Sequence, residues 1–151
     1  MSSLRLVVGS FILFGGISLT YAAPPQMRPG KWEIKMQTEM AGMPHQVPPM
    51  STTHCLTSEQ AKDPVKGMMK RLQQNRDASG EKCQLVKQSM SERNFHWVVE
   101  CTGVQHIKSN GEITFDSDVA YHGVITSEIE TPQGNMTMTQ NLEARRIGEC
   151  P

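Results

Sequence analysis

From Trp32 to Met40 the chain alternates between two kinds of side chain: Trp32, Ile34, Met36, Thr38 and Met40 against Glu33, Lys35, Gln37 and Glu39. A period of two places one set on each face of a β-strand, here one apolar and one wet. Residues 41–50 then carry Gly42, Pro44, Pro48 and Pro49 and read as a loop, followed by a β-rich stretch from Ser51 to Leu56. The period changes after that. Thr57 with Gln60 three positions on has the spacing of a capping box, and Asp63-Pro64 has the N-cap and first-turn residues of a second helix. Val65, Met68, Met69 and Leu72 fall at i, i+3, i+4 and i+7, a helical stripe that faces a core. Asn75 to Lys82 reads as a polar loop.

Period two returns in the second half. Cys83–Met90 and Asn94–Cys101 form the arms of a hairpin turning at Ser91-Glu92-Arg93. Folding about Glu92 sets Cys83 opposite Cys101, Leu85 opposite Val99 and Val86 opposite Val98. Val104–Ser109 and Glu112–Asp116 flank Asn110-Gly111, the strongest short hairpin signal, and predict a second turn there. Val119–Ile129 and Met136–Ile147 pair around Thr131-Pro132-Gln133-Gly134. The expected fold is α+β and mainly antiparallel: a curved meander sheet or partial barrel, with one or two short helices inserted after the second strand.

The first 22 residues stand apart from this pattern. Arg5 precedes an apolar stretch from Leu6 to Leu19, and Thr20-Tyr21-Ala22 offers small residues at −3 and −1 of a cleavage before Ala23. The expected organisation is a signal peptide over 1–22 and one periplasmic domain over 23–151, with no stable membrane insertion after cleavage. Export changes the reading of the four cysteines, because an even number in an oxidising compartment predicts disulfides. Their spacing matches no Cys-x-x-Cys redox or zinc pattern. The hairpin register selects Cys83–Cys101 and leaves Cys55–Cys150. Loop entropy assigns about 3 kcal/mol to the first bond and roughly 4–5 kcal/mol to the second.

Composition narrows the function. Fifteen Lys+Arg balance fifteen Asp+Glu, which argues against a nucleic-acid binder that neutralises phosphates. Aromatics are few at 5%, while eleven methionines are present, so thioethers must fill part of the core; Trp32 and Trp97 are its expected large members. No Gly-x-Ser-x-Gly elbow, His-Glu-x-x-His, phosphate-binding glycine loop or dinucleotide fingerprint occurs. His54, His96, His106 and His122 occur singly on predicted strands, with His96 and His122 candidates for one face. Asp116 and Asp118 are spaced to share a face at a hairpin end. One cluster has ligand chemistry: Met40, Met43, His45 and Met50 combine soft thioethers with an imidazole, suited to Cu(I).

Several segments resemble the domain of unknown function 3617 family of exported proteobacterial proteins. Met27-Arg28-Pro29-Gly30-Lys31-Trp32-Glu33-Ile34 is similar to that family's "RPGxWE" opening. Met40-Ala41-Gly42-Met43-Pro44, Cys55-Leu56-Thr57 with Asp63-Pro64, and Arg145-Arg146-Ile147-Gly148-Glu149-Cys150 follow in the family's order. Lys31 stands where the family often carries an apolar residue. The resemblance implies a single periplasmic domain and no reaction. The expected function is a non-enzymatic binding or interaction module of the cell envelope, without a cofactor, whose partner is a small apolar ligand or an envelope protein. The alternative is a Cu(I) carrier that uses the Met/His loop.

Overall fold

The computed structural model describes residues 25–42, 47–78, 80 and 82–151, with the backbone alone at 71, 72 and 75–78. The proposed signal peptide lies outside the described residues, as do Met43 and His45. Seven strands and two helices follow one another: β1 (Gly30–Met40), β2 (Met50–Leu56), α1 (Ser58–Lys62), α2 (Pro64–Ala78), β3 (Lys82–Ser91), β4 (Asn94–Thr102), β5 (His106–Ser117), β6 (Ala120–Thr131) and β7 (Gly134–Gly148). They form one antiparallel sheet in the order β2-β1-β7-β6-β5-β4-β3, which is not closed into a barrel. The meander from β3 to β7 therefore returns to pair with β1, and β2 and β3 are left as edges.

The helices start where their caps place them. Thr57 accepts from Gln60 N at 3.3 Å while Gln60 Oε1 accepts from Thr57 N at 3.1 Å, completing the capping box. Asp63 Oδ1 accepts from Lys66 N at 3.0 Å and so satisfies a first-turn donor of α2. Val65, Met68 and Met69 pack against the sheet core as the stripe predicts. The helix runs farther than expected: it continues to Ala78, through the first half of the segment read as a polar loop. Polarity alone does not end a helix, and no Pro or Gly interrupts residues 68–78.

Two registers differ from the sequence reading. Cys83 pairs with Cys101 and Leu85 with Val99 as expected, but Lys87, not Val86, pairs with Val98. Val86 is the extra residue of a β-bulge and is half exposed, which shortens the turn to Glu92-Arg93 with Glu92 at φ 49°. The bulge and Lys87 blunt an otherwise open edge. The second correction is at Asn110-Gly111, where β5 passes straight through. Asn110 pairs with Val98 and Gly111 with Trp97. Gly111 serves packing instead of turning: a Cβ there would land in the Trp97 indole, so the glycine gives the ring room to lie on the strand. The turns that bracket β5 are Gly103–Gln105 and Asp118-Val119.

The family-like opening segment fastens α1, the β5–β6 turn and β7 together. Met27 is buried, and its N–H donates to Ala61 O at 3.0 Å on α1. Arg28 N donates to Asp118 O at 2.7 Å, and its guanidinium pairs with the Asp118 carboxylate at 2.7 Å. Pro29 O accepts from Arg146 Nε at 2.8 Å. Gly30 sits at φ 137° against the Gly148 carbonyl and the Arg146 guanidinium, a position with no room for a side chain. The Trp32 indole N–H donates to Arg28 O at 3.1 Å. The segment's residues thus serve attachment of the first strand.

Candidate functional site: the cleft between sheet and helices

Alternation gives the sheet two unlike faces. On the inner face Trp32, Phe95, Trp97, Ile113 and Phe115 are almost fully buried, and helix residues Ala61, Val65, Met68 and Met69 pack over them. Phe95 and Trp97 stack at 5.2 Å between ring centroids, and Tyr121 bridges Trp32 at 5.8 Å and Phe115 at 6.0 Å. The described side chains of the helices leave space above the sheet. A cavity of about 320 Å³ lies near Met69, Trp97, Val99, Ser109, Ser127 and Gln140. A second, of about 230 Å³, runs toward Trp32, Met36, Met68, Phe115 and Leu142. Trp97 and Ile125 line both, so the two adjoin along the inner face. Lined mostly by apolar side chains, they have the size and character of a small-molecule site.

Polar groups collect at one end. Ser109 and Ser127 are direct cross-strand partners, 6% and 2% exposed, with their hydroxyl oxygens 2.8 Å apart. Gln140 points its amide nitrogen at Met36 Sδ (3.2 Å) and Thr38 Oγ1 (3.5 Å). No described lining residue of the first cavity carries a charge. In the second, His54 is the described side chain able to become a cation. Sequence reasoning missed the serine pair, although a signal was present. Ser109 and Ser127 occupy inward positions between Ile107 and Ile113 and between Ile125 and Ile129, where the pattern asks for apolar residues.

The outer face holds three of the four strand histidines, each beside a carboxylate, while the fourth, His54, lines the second cavity. His96 Nε2 lies 3.3 Å from Glu112, His106 Nδ1 2.9 Å from Glu130 and His122 Nδ1 2.9 Å from Asp116. Asp116 and Asp118 are not joined: one takes His122 and the other Arg28. His96 and His122 lie on β4 and β6 with β5 between them. Arg145 binds Glu33 at 2.9 Å and holds that carboxyl below the ordinary glutamate range. Among the described residues no group of three or more His, Cys, Asp or Glu is placed to hold a metal. Of the proposed copper ligands, Met40 is half-buried at the end of β1, on the same face as Met36. Met50 is exposed at the start of β2, opposite Met36.

The two cysteine pairs differ. Cys83–Cys101 is a disulfide across the β3–β4 hairpin, as the register predicts. Cys55 and Cys150, the second expected pair, stand in the structure as exposed thiols. The fold brings these two together. Lys31 pairs with Cys55 on one side and Gly148 on the other, so the chain leaving β7 passes the start of β1 and reaches β2. A hydrogen bond with Cys55 raises the Cys150 thiol above its ordinary value.

An open antiparallel sheet roofed by two helices over an apolar cleft is the class of domain these features define. The family model for Protein of unknown function (DUF3617) matches residues 27–150, and the chain belongs to that family. No curated protein and no solved structure matches the chain. No described helix is long and apolar enough to cross a membrane.

Proposed function

We propose that this domain is a non-enzymatic binding module of the cell envelope that takes a small apolar ligand into the cleft between the sheet and α2. The observation that carries the reading is the pair of adjoining apolar cavities that meet at Trp97 and Ile125. A core built only for stability closes such space, because unfilled volume forfeits packing energy. Helix α2 supplies Met68 and Met69 to the roof. Thioether side chains adapt to occupants of different shape, which suits a lid over a ligand. Export to the periplasm is consistent with the Cys83–Cys101 disulfide and with the apolar segment that precedes the domain.

Two measurements test this. Native mass spectrometry of the protein taken from the periplasmic fraction should show a chain beginning at Ala23 that carries an additional small-molecule mass. Titration with the neutral fluorophore N-phenyl-1-naphthylamine should raise the dye's emission and quench Trp97. Absence of both a retained mass and a dye response would exclude the cleft as a ligand site. A full-length chain confined to the cytoplasm would exclude the envelope assignment.

A further inference from the structure

We infer that the ligand of this cleft is an uncharged single-chain amphiphile whose head is a hydroxyl or amide, seated between the Ser109–Ser127 pair and Gln140. The inference rests on the cleft being the binding site and adds the chemistry of its occupant. Two serine hydroxyls hold two hydrogens, and the bond between them uses one. The other O–H is left as a donor in a buried pair that lines the first cavity. Gln140 supplies the opposite polarity. Methionine sulfur only accepts, so the contact with Met36 Sδ fixes the amide nitrogen on that side. Gln140 Oε1 is then the acceptor that remains.

One donor and one acceptor against the same cavity suit a group that both accepts and donates. A hydroxyl does so with one oxygen, and an amide with its two ends. A carboxylate does not fit this arrangement. It would gain a single hydrogen bond, would face the Gln140 carbonyl oxygen, and would meet no cation among the described lining residues. An ammonium would find acceptors but no counter-charge there. The apolar tail has a direction to run, since the second cavity continues past Trp97 and Ile125 toward Trp32 and Leu142.

The test uses three probes with one twelve-carbon tail: 1-dodecanol, its methyl ether and dodecanoate. Each competes with N-phenyl-1-naphthylamine bound to the intact protein. Dodecanol should displace the dye at about tenfold lower concentration than the ether or the carboxylate, the value of one well-made hydrogen bond. In a Ser109→Ala/Ser127→Ala protein the alcohol and the ether should both weaken about tenfold, because the oxygen of each accepts from the serine O–H. Removing both serines together leaves no orphaned hydroxyl, so the fold should persist. Gln140→Leu is the second variant and should bring the alcohol to the level of the ether, which lacks an O–H to donate to Gln140 Oε1. Equal displacement by all three probes, a preference for dodecanoate, unweakened alcohol binding in the serine variant, or an alcohol preference that survives Gln140→Leu would overturn the inference while leaving an apolar site in place. Failure of the dye to bind at all would remove the cleft reading itself.

Discussion

The inner and outer faces of this sheet are made from the same strands, residue by residue in alternation, yet they solve opposite problems. Outside, each of the three histidines described there has a carboxylate beside it, and both members of every such pair are substantially exposed. Exposed pairs of this kind contribute little to stability and are screened by salt. Inside, Trp32, Phe95, Trp97 and Phe115 are nearly inaccessible, and the polar groups among the inward positions include a buried serine pair and a glutamine. The residues that look most like chemistry are thus the ones with the plainest physical role. Those that look like lapses in a hydrophobic pattern line the cavity.

This contrast can be broken by substitution, with effects that should fall in a definite order. Trp97→Ala should cost on the order of 3–5 kcal/mol, because the indole is 2% exposed, stacks on Phe95 and covers Gly111. Urea unfolding should show it, and the variant should also lose naphthylamine binding. Next, Cys83→Ser/Cys101→Ser should cost about 3 kcal/mol, the loop-closure value for a bond with sequence separation 18. The same unfolding assay under reducing conditions should bring the wild type down to the variant.

The serine pair gives a sharper comparison at smaller amplitude. Ser109→Ala alone should cost about 1–3 kcal/mol, since it strands the Ser127 hydroxyl in a buried site. Adding Ser127→Ala should recover part of that loss, a non-additivity seen when both partners leave together. On the outer face, His96→Ala or Glu112→Ala should move stability by about 0.5 kcal/mol or less. The Arg145–Glu33 contact gives the smallest signal and a sign. Arg145 lowers the Glu33 carboxyl, so the contact stabilises the fold above the ordinary glutamate range and is lost as pH falls through the lowered value. In Arg145→Ala, the Glu33 titration followed by NMR should move up toward the ordinary range.

Much of this fold is legible in the sequence because alternation, caps and turn residues are local signals. The β1 alternation, the Thr57 capping box, the Asp63 cap and the 83/101 register each rest on a few neighbouring residues. The misreadings occur where a distant residue decides. Asn110-Gly111 has the composition of a turn, but the Trp97 ring on the neighbouring strand claims the glycine's empty side. The Val86 bulge depends on pairing along the whole hairpin, which folding about one residue does not capture. Cys55 and Cys150 were matched by elimination. What places them together is that Lys31 is flanked by β2 and β7, a consequence of topology. The opening Arg28-Pro29-Gly30 segment was recognised as a pattern without a role; its partners, Asp118, Arg146 and Gly148, lie some 90 or more positions away. The cavity was invisible for the same reason, since it is space left between α2 and the sheet.

The central claim is that function resides on the inner face, and the most direct test is a residue-by-residue map of ligand contact. The protein, labelled with ¹⁵N, is titrated with N-phenyl-1-naphthylamine and followed by amide and indole NMR shifts. The account predicts saturable shifts at Trp97, Ser109, Ile125, Ser127 and Gln140, with the Trp97 indole N–H among the largest. Residues of the outer face, His96, Glu112 and His122, should stay within the scatter of the unperturbed sheet. Shifts concentrated at those outer histidines, with the Trp97 and Ser127 signals unmoved at saturation, would contradict it.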